Sequence, residues 1–272
     1  LKPLIAAAAV AVAVTLGVGA THAIGSYVLG PHDGVLGLTA TFLGLFTACG
    51  VCLLGAAVAA MAKKADAETI LLGLWLLGTF VFATAINWST NGRSILPMAP
   101  AGAIFLVRWI EQRSKGRRPP ALAALLGSLA AAAVLSLSVA WADQGLADSA
   151  RRAAREIHAK YGARNGTLWF EGHWGFQYYM EALGAKAIDT KTSRFLPGDI
   201  IVVPENNTNI TPPPKEWTRL VETMEFQASR GIATMNYGAG LYSDAFGPLP
   251  YAFGPVPKER YAIYEAALAT AK

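Results

Sequence analysis

Up to Trp141 the chain is written in long apolar runs separated by short polar breaks; from Asp143 onward short apolar stretches alternate with segments rich in Pro, Gly and charge. The runs cover about residues 4–20, 35–62, 69–86, 95–110 and 121–141. A helix needs roughly 20 apolar residues to cross a bilayer core, and four of the runs meet that length. The fourth run, 95–110, rises roughly 24 Å at about 1.5 Å per residue. Trp109 and a snorkelling Arg108 make up the remaining depth. The first run lacks a clear cleavage site and is followed by further spans, so it reads as a span and not as a leader. The pattern therefore predicts an all-α membrane region of about five transmembrane helices over 1–142, followed by a small α/β domain over 143–272.

In the second half, 143–161 carries Ala and Ile on one helical face and is closed by Gly162. Residues 167–170 predict a strand, 173–183 a helix closed by Gly184, and 185–188 a short strand. Pro197-Gly198-Asp199 turns the chain into 200–203, a run of four β-branched residues and the clearest strand signal. A further strand is expected near 224–228 and a closing helix over 258–270. The polar, Pro-rich stretch 206–214 cannot continue a sheet. The stretch 237–254 is irregular, aromatic and Gly-rich, and is expected on the membrane surface or over a membrane cavity.

Charge sharpens this picture. Only 15% of residues are charged against 53% hydrophobic, which excludes an ordinary soluble enzyme. The net charge of +5 falls entirely in the first half, which holds nine basic and four acidic residues, whereas the second half balances 14 against 14. Without a basic patch in the soluble half, the sequence gives no nucleic-acid partner. With Lys2 in the cytoplasm, the loops 63–68 and 108–120 lie on the same side and carry, with Lys2, eight of the nine basic residues. The loops 21–34 and 87–94 and everything from Asp143 then lie outside, and Arg93 is the single basic residue of the membrane half on that face. Cys49 and Cys52, the only cysteines, have CxxC spacing inside an apolar span, where buried packing is expected in place of a redox pair.

An Arg at the mouth of a span, where topology does not call for positive charge, either snorkels to lipid phosphate or binds an anion, and its guanidinium can fork two hydrogen bonds onto a phosphate. Arg93 stands in Asn91-Gly92-Arg93-Ser94-Ile95-Leu96-Pro97-Met98-Ala99-Pro100, where Pro97 and Pro100 leave backbone groups free near the interface. This Arg, followed by Leu-Pro and a second Pro at the head of a late span that ends in a basic loop, resembles the late transmembrane region of family 39 type glycosyltransferases. These are polytopic GT-C enzymes that include protein mannosyltransferases and lipid A aminoarabinose transferases. The resemblance covers roughly residues 35–272 and implies a polyprenyl-phosphate sugar as donor, an acceptor outside the cytoplasm and a multi-pass location in a bacterial plasma membrane. It also implies Arg93 as the ligand of the donor phosphate. Such enzymes have more spans and carry a catalytic acid in their first outer loop. With Leu1 at its start, this chain is therefore expected to be the C-terminal part of a longer protein. Asp33, in Gly30-Pro31-His32-Asp33-Gly34, is the one acid of the outer loops; it reads first as a turn residue and only second as the catalytic base, so no catalytic residue is assigned.

Glu171, His173, Trp174 and Tyr178 collect an acid, an imidazole and aromatic faces just after a strand, a combination that can hold a sugar or the acceptor, although aromatics with Met on a helix more often pack as core. His22, His32 and Asp33 share a loop but no trusted metal spacing, so no metal ligands are assigned; no cofactor is expected, with a divalent metal left open. No GxGxxG, P-loop, HExxH or GxSxG motif occurs in the second half. The alternative reading is a non-enzymatic, membrane-anchored module that binds a glycan or a protein outside the cytoplasm. A transporter is disfavoured, because no span carries an ionisable residue well away from its ends.

Overall fold

A computed structural model describes residues 33–87, 91–114, 122–236 and 238–267. The chain forms two compact units, one of Leu1–Val139 with Ile232–Gly254, the other of Ala140–Gly231 with Pro255–Lys272.

In the first unit, helix α1 (Asp33–Lys63) leads through three residues into α2 (Ala67–Val81). Asp66 caps α2 by accepting from the Thr69 amide at 2.8 Å. The Lys64 ammonium, 2.6 Å away, and the Thr69 amide hold its carboxyl well below the usual carboxylate range. A π-helical turn, Phe82–Ile86, continues α2, with the Asn87 amide donating to Phe82 O. After the break come α3 (Gly92–Ile95), a 3-10 turn (Leu96–Met98) and α4 (Ala99–Ser114). The three-helix core is made of small residues facing large ones: Ala57 and Ala101 against Leu72, Leu76 and Phe105. The Trp75 indole donates to the Pro97 carbonyl at 3.0 Å, tying α2 to the start of the next helix.

Helix α5 (Leu122–Tyr161) gives its apolar part to the first unit and its polar part to the second. The 142/143 position lies inside this unbroken helix, because neither Ala nor the Asp143-Gln144 step breaks helical geometry. None of residues 123–141 is buried. Four helical stretches, Thr41–Lys63, Ala67–Ile86, Gly92–Gln112 and Ala123–Tyr161, are long and apolar enough to cross a membrane. The expected span 4–20 lies outside the described residues. Cys49 and Cys52 are both free and exposed on α1, which corrects the expectation of buried packing: the α1 residues that pack into the bundle core are Ala57, Leu53, Ala56 and Ala60.

The second unit is a five-stranded mixed sheet, order β2-β1-β3-β9-β4. Its strands are β1 (Leu168–Phe170), β2 (Lys186–Ala187), β3 (Ile200–Pro204), β4 (Thr218–Phe226) and β9 (Glu259–Ala266); helix α6 (Trp174–Ala182) joins β1 to β2. β1 runs parallel to β2 and β3, while β9 is antiparallel to both β3 and β4. Ala153, Ala154, Ile157 and Tyr161 of α5 and Phe176 and Met180 of α6 cover one face, over Phe170, Ile200, Val202 and Ile263. Each large apolar side chain buried there contributes ~1.5–3 kcal/mol. On the other face Phe195 stacks on Trp217 at 5.2 Å and meets Trp169 edge-on, over Ile201 and Val203. With both faces covered, β3 is buried throughout, as its unbroken β-branched run requires.

Two expectations are corrected. The closing helix over 258–270 is strand β9: Tyr261, Ala262 and Ile263 are buried on alternating faces between β3 and β4, and that burial outweighs the helix propensity of the surrounding Glu, Ala and Lys. The strand expected near 224–228 is β4, which begins six residues earlier and ends at Phe226, with a bulge between Leu220 and Glu222 that shifts its register.

The stretch 232–254 packs with the membrane-type helices and not with the sheet. It contains β5 (Ile232–Ala233), β6 (Met235–Asn236), β7 (Ala239–Gly240) and β8 (Ala252–Phe253), with β5 paired to β8 and β6 to β7. We refer to it below as the aromatic lobe.

Candidate functional sites

In the first unit, the short link 64–66 turns α1 back into α2, and the later part of α4 meets the start of α2 through Arg108 and Glu68, so each end of the bundle has its own chemistry. Lys63 and Lys64 lie at one end, where Arg108 reaches Glu68 at 2.6 Å. At the other end, Asn91 is 7% exposed, and its Oδ1 accepts from both the amide and the hydroxyl of Ser94. The Asn87 side-chain amide donates to the same hydroxyl oxygen at 2.9 Å. This chain of polar groups fixes the turn before α4, and Arg93 sits within it. The Arg93 amide donates to Leu241 O of the aromatic lobe at 3.1 Å. Its guanidinium is exposed and makes no ion pair or hydrogen bond with a described residue. The arrangement is a fixed backbone presenting a free bidentate cation, which suits an anion such as a phosphate monoester or diester. The π-turn that precedes it is a device often found beside functional sites. Asp33 is the first residue of α1, while His22 and His32 lie outside the described residues. Among the described residues no group of His, Cys, Asp or Glu could hold a metal ion.

In the second unit the chain order along the sheet reverses at β1: β2 lies on one side of it and β3 on the other. A crevice beyond the carboxyl ends of the strands at such a reversal is the usual ligand position in open α/β sheets. Glu171, Gly172, His173 and Trp174 follow β1, and Glu205, Asn206 and Asn207 follow β3. Gly172 takes φ +100°, and a Cβ there would stand 2.6 Å from Pro204 Cγ, so only glycine fits. The His173 amide donates to Asn207 Oδ1 at 3.3 Å, and Glu171 Oε2 accepts from the Thr211 amide at 2.7 Å. Burial pushes the Glu171 carboxyl up, against the pull of that amide and of His173. Trp174 adopts φ +60°, a left-handed conformation rare outside glycine, and is 48% exposed. Tyr178, one turn on, is 68% exposed and meets Tyr179 edge-on. The structure thus gathers Glu171, His173, Trp174 and Tyr178 at one corner, with Asn207 and Thr211 added by the loop after β3. Their chemistry is that of a recognition surface: exposed aromatic faces with a carboxylate and an imidazole beside them, and no nucleophile held against a base.

Glu259 was missed by sequence reasoning because it fell in the expected closing helix. It opens β9 opposite Phe226, on the sheet face that the helices cover, and is 5% exposed. Asn206 Nδ2 donates to both its oxygens at 2.9 Å and no described residue forms a salt bridge with it; burial pushes its carboxyl up to about 7. The neighbouring Arg260 pairs with Glu205 and Glu225 instead, since successive side chains in a strand point to opposite faces. The signal that could have found β9 is the close spacing of Tyr261, Ile263 and Tyr264, a composition that favours strands. No family model, curated protein or solved structure matches the chain significantly.

Proposed function

We propose that the chain is the C-terminal part of a bacterial membrane glycosyltransferase that moves a sugar from a polyprenyl-phosphate carrier to an acceptor outside the cytoplasm. The observation that carries this reading is Arg93: an exposed guanidinium, free of described partners, on a turn fixed by Asn87, Asn91 and Ser94, at the bundle end opposite Lys63, Lys64 and Arg108. The positive-inside bias puts that end on the outer face, where lipid-linked sugars present their phosphate. In the transfer, the acceptor oxygen bonds to the anomeric carbon as the bond from that carbon to the phosphate oxygen breaks. The acceptor proton goes to a carboxylate base, and Arg93 neutralises the charge that grows on the departing lipid phosphate. No described residue is assigned as that base. The corner of Glu171, His173, Trp174 and Tyr178 selects the acceptor.

The test is Arg93→Ala in the full-length enzyme. The expected result is weaker use of the polyprenyl-phosphate donor, with Arg93→Lys intermediate because an ammonium cannot fork onto the phosphate. Unchanged donor affinity and turnover would refute the role. The strained, exposed Trp174 favours a second reading, a membrane-anchored glycan-binding module. That reading requires glycan binding with no lipid donor present, and binding that survives Arg93→Ala supports it over the transferase.

A further inference from the structure

We infer that the aromatic lobe, Ile232–Gly254, is a positioning element of the phosphate site at Arg93, and that it reaches that site because residue 92 is glycine. The inference rests on the reading of Arg93 as a phosphate ligand. Although the lobe follows β4 in sequence, it belongs to the compact unit of the membrane-type helices. It is stiffened by its own backbone. The Leu241 amide donates to Thr234 O at 3.1 Å, Gly240 to Leu249 O at 2.6 Å, and Leu249 to Gly238 O at 3.0 Å. Gly247, at φ +139°, lies directly on the Gly238 backbone, where no side chain would fit. Thr234, Ala239, Leu249 and Ala252 are buried in it.

Two contacts seat this body on the outer end of the bundle. Phe253 and Tyr251 meet Phe42 and Phe46 of α1 at ring distances of 5.3 and 5.9 Å. At the second contact, Leu241 O accepts the Arg93 amide. A Cβ on Gly92 would lie 3.2 Å from Leu241 Cδ1 and from Pro250 Cβ and 3.3 Å from Leu241 Cα, so any side chain there would press the lobe back by a few tenths of an ångström. Gly92, the first residue of α3, has no left-handed φ to explain the glycine, and inside a helix glycine is disfavoured. Close packing by the lobe is therefore what residue 92 serves. The lobe holds the Arg93 backbone from one side while the Asn87–Ser94–Asn91 chain holds it from the other, so that the guanidinium alone is left to move.

The experiment measures binding of undecaprenyl phosphate, doped into phosphatidylcholine nanodiscs, by the full chain and its variants over a range of salt. Gly92→Val is expected to weaken binding roughly tenfold by displacing Arg93. It should also flatten the salt dependence, because the lost component is the charge-to-phosphate contact. Adding Leu241→Ala to Gly92→Val removes the Cδ1 that the new side chain meets and should recover part of the loss, since Pro250 Cβ and Leu241 Cα remain. Should Gly92→Val fail to insert, the pair Tyr251→Ala and Phe253→Ala loosens the lobe at its other seat and is expected to weaken binding in the same salt-sensitive way. If Arg93→Ala weakens binding while the Gly92 and Tyr251/Phe253 variants bind like the parent, the positioning role is overturned and the Arg93 reading stands. If Arg93→Ala itself binds like the parent, the phosphate reading has failed and the inference falls with it.

Discussion

Glu259 makes the sheet domain's stability depend on pH in a direction opposite to that of most carboxylates. Its side chain is 5% exposed, Asn206 Nδ2 donates to both its oxygens, and its carboxyl is raised from 4.5 to about 7 because burial disfavours the charged form. Between those two values the folded chain keeps a proton that the unfolded chain has released, so the native state binds more protons and stability falls as the pH rises through the window. At ~1.4 kcal/mol for each pH unit separating the two values, raising the carboxyl from 4.5 to about 7 costs ~3 kcal/mol, fully present only above pH 7. Glu259→Gln removes the ionisation and keeps an oxygen for Asn206 to donate to. The assay is amide hydrogen exchange of β3 and β9 in parent and variant, compared at each pH so that the intrinsic exchange chemistry cancels. With global or sub-global opening in rapid equilibrium, ~3 kcal/mol is a ratio of roughly 10² in protection. Parent and variant are expected to exchange alike near pH 4.5, with the variant gaining protection progressively to about pH 7 and holding it above. Glu171 is also raised by burial, but it is present in both chains and drops out of the ratio. A ratio that stays flat across this range would mean that Glu259 is charged in the fold, and the burial argument would be wrong.

Asp199, 4% exposed, accepts from the Thr167 amide, the Trp169 indole and the Leu196 amide, so Asp199→Ala takes the acceptor from three part-buried donors. A loss of at least ~3 kcal/mol is expected in urea unfolding of the sheet domain, and a loss below ~1 kcal/mol would show that water replaces the carboxylate. At Trp174, φ +60° is relieved by glycine and not by alanine, so Trp174→Gly is expected to be more stable than Trp174→Ala by ~1 kcal/mol in the same measurement, both having lost the ring. Equal stabilities would argue that the strain is absent. Both variants are also expected to lose acceptor selection if the indole face is what the acceptor meets.

What the sequence made legible follows from which interactions are local. The apolar runs are long enough that only a helix satisfies their backbone in lipid, so 35–62, 69–86 and 95–110 needed no tertiary information to be read. The same holds for 200–203, whose β-branched run excludes other elements. Where Arg93 and Glu171 to Tyr178 fall was also legible: the first stands on the turn that opens the third described span and the others follow β1, each next to a local signal in the sequence. The failures have a common cause. Residues 258–270 are helix formers by local propensity, and what makes 259–266 a strand is a vacancy between β3 and β4, which are separated from it by more than 30 residues of chain. Glu259 was hidden by the same error, since its burial exists only once β9 is paired with Phe226 on one side and Asn206 stands beside it.

The lobe shows the limit most sharply. Its composition pointed to an interface, yet its anchors are an aromatic pair with α1 and a backbone carbonyl on Arg93, contacts that join residues about 150 to 200 positions apart and leave no periodic trace in either partner. The one local trace is Gly92, a glycine with no left-handed backbone to account for it. Such a residue signals a close approach by something distant, and in a polytopic chain the approaching element can come from the half of the sequence that composition assigns to water.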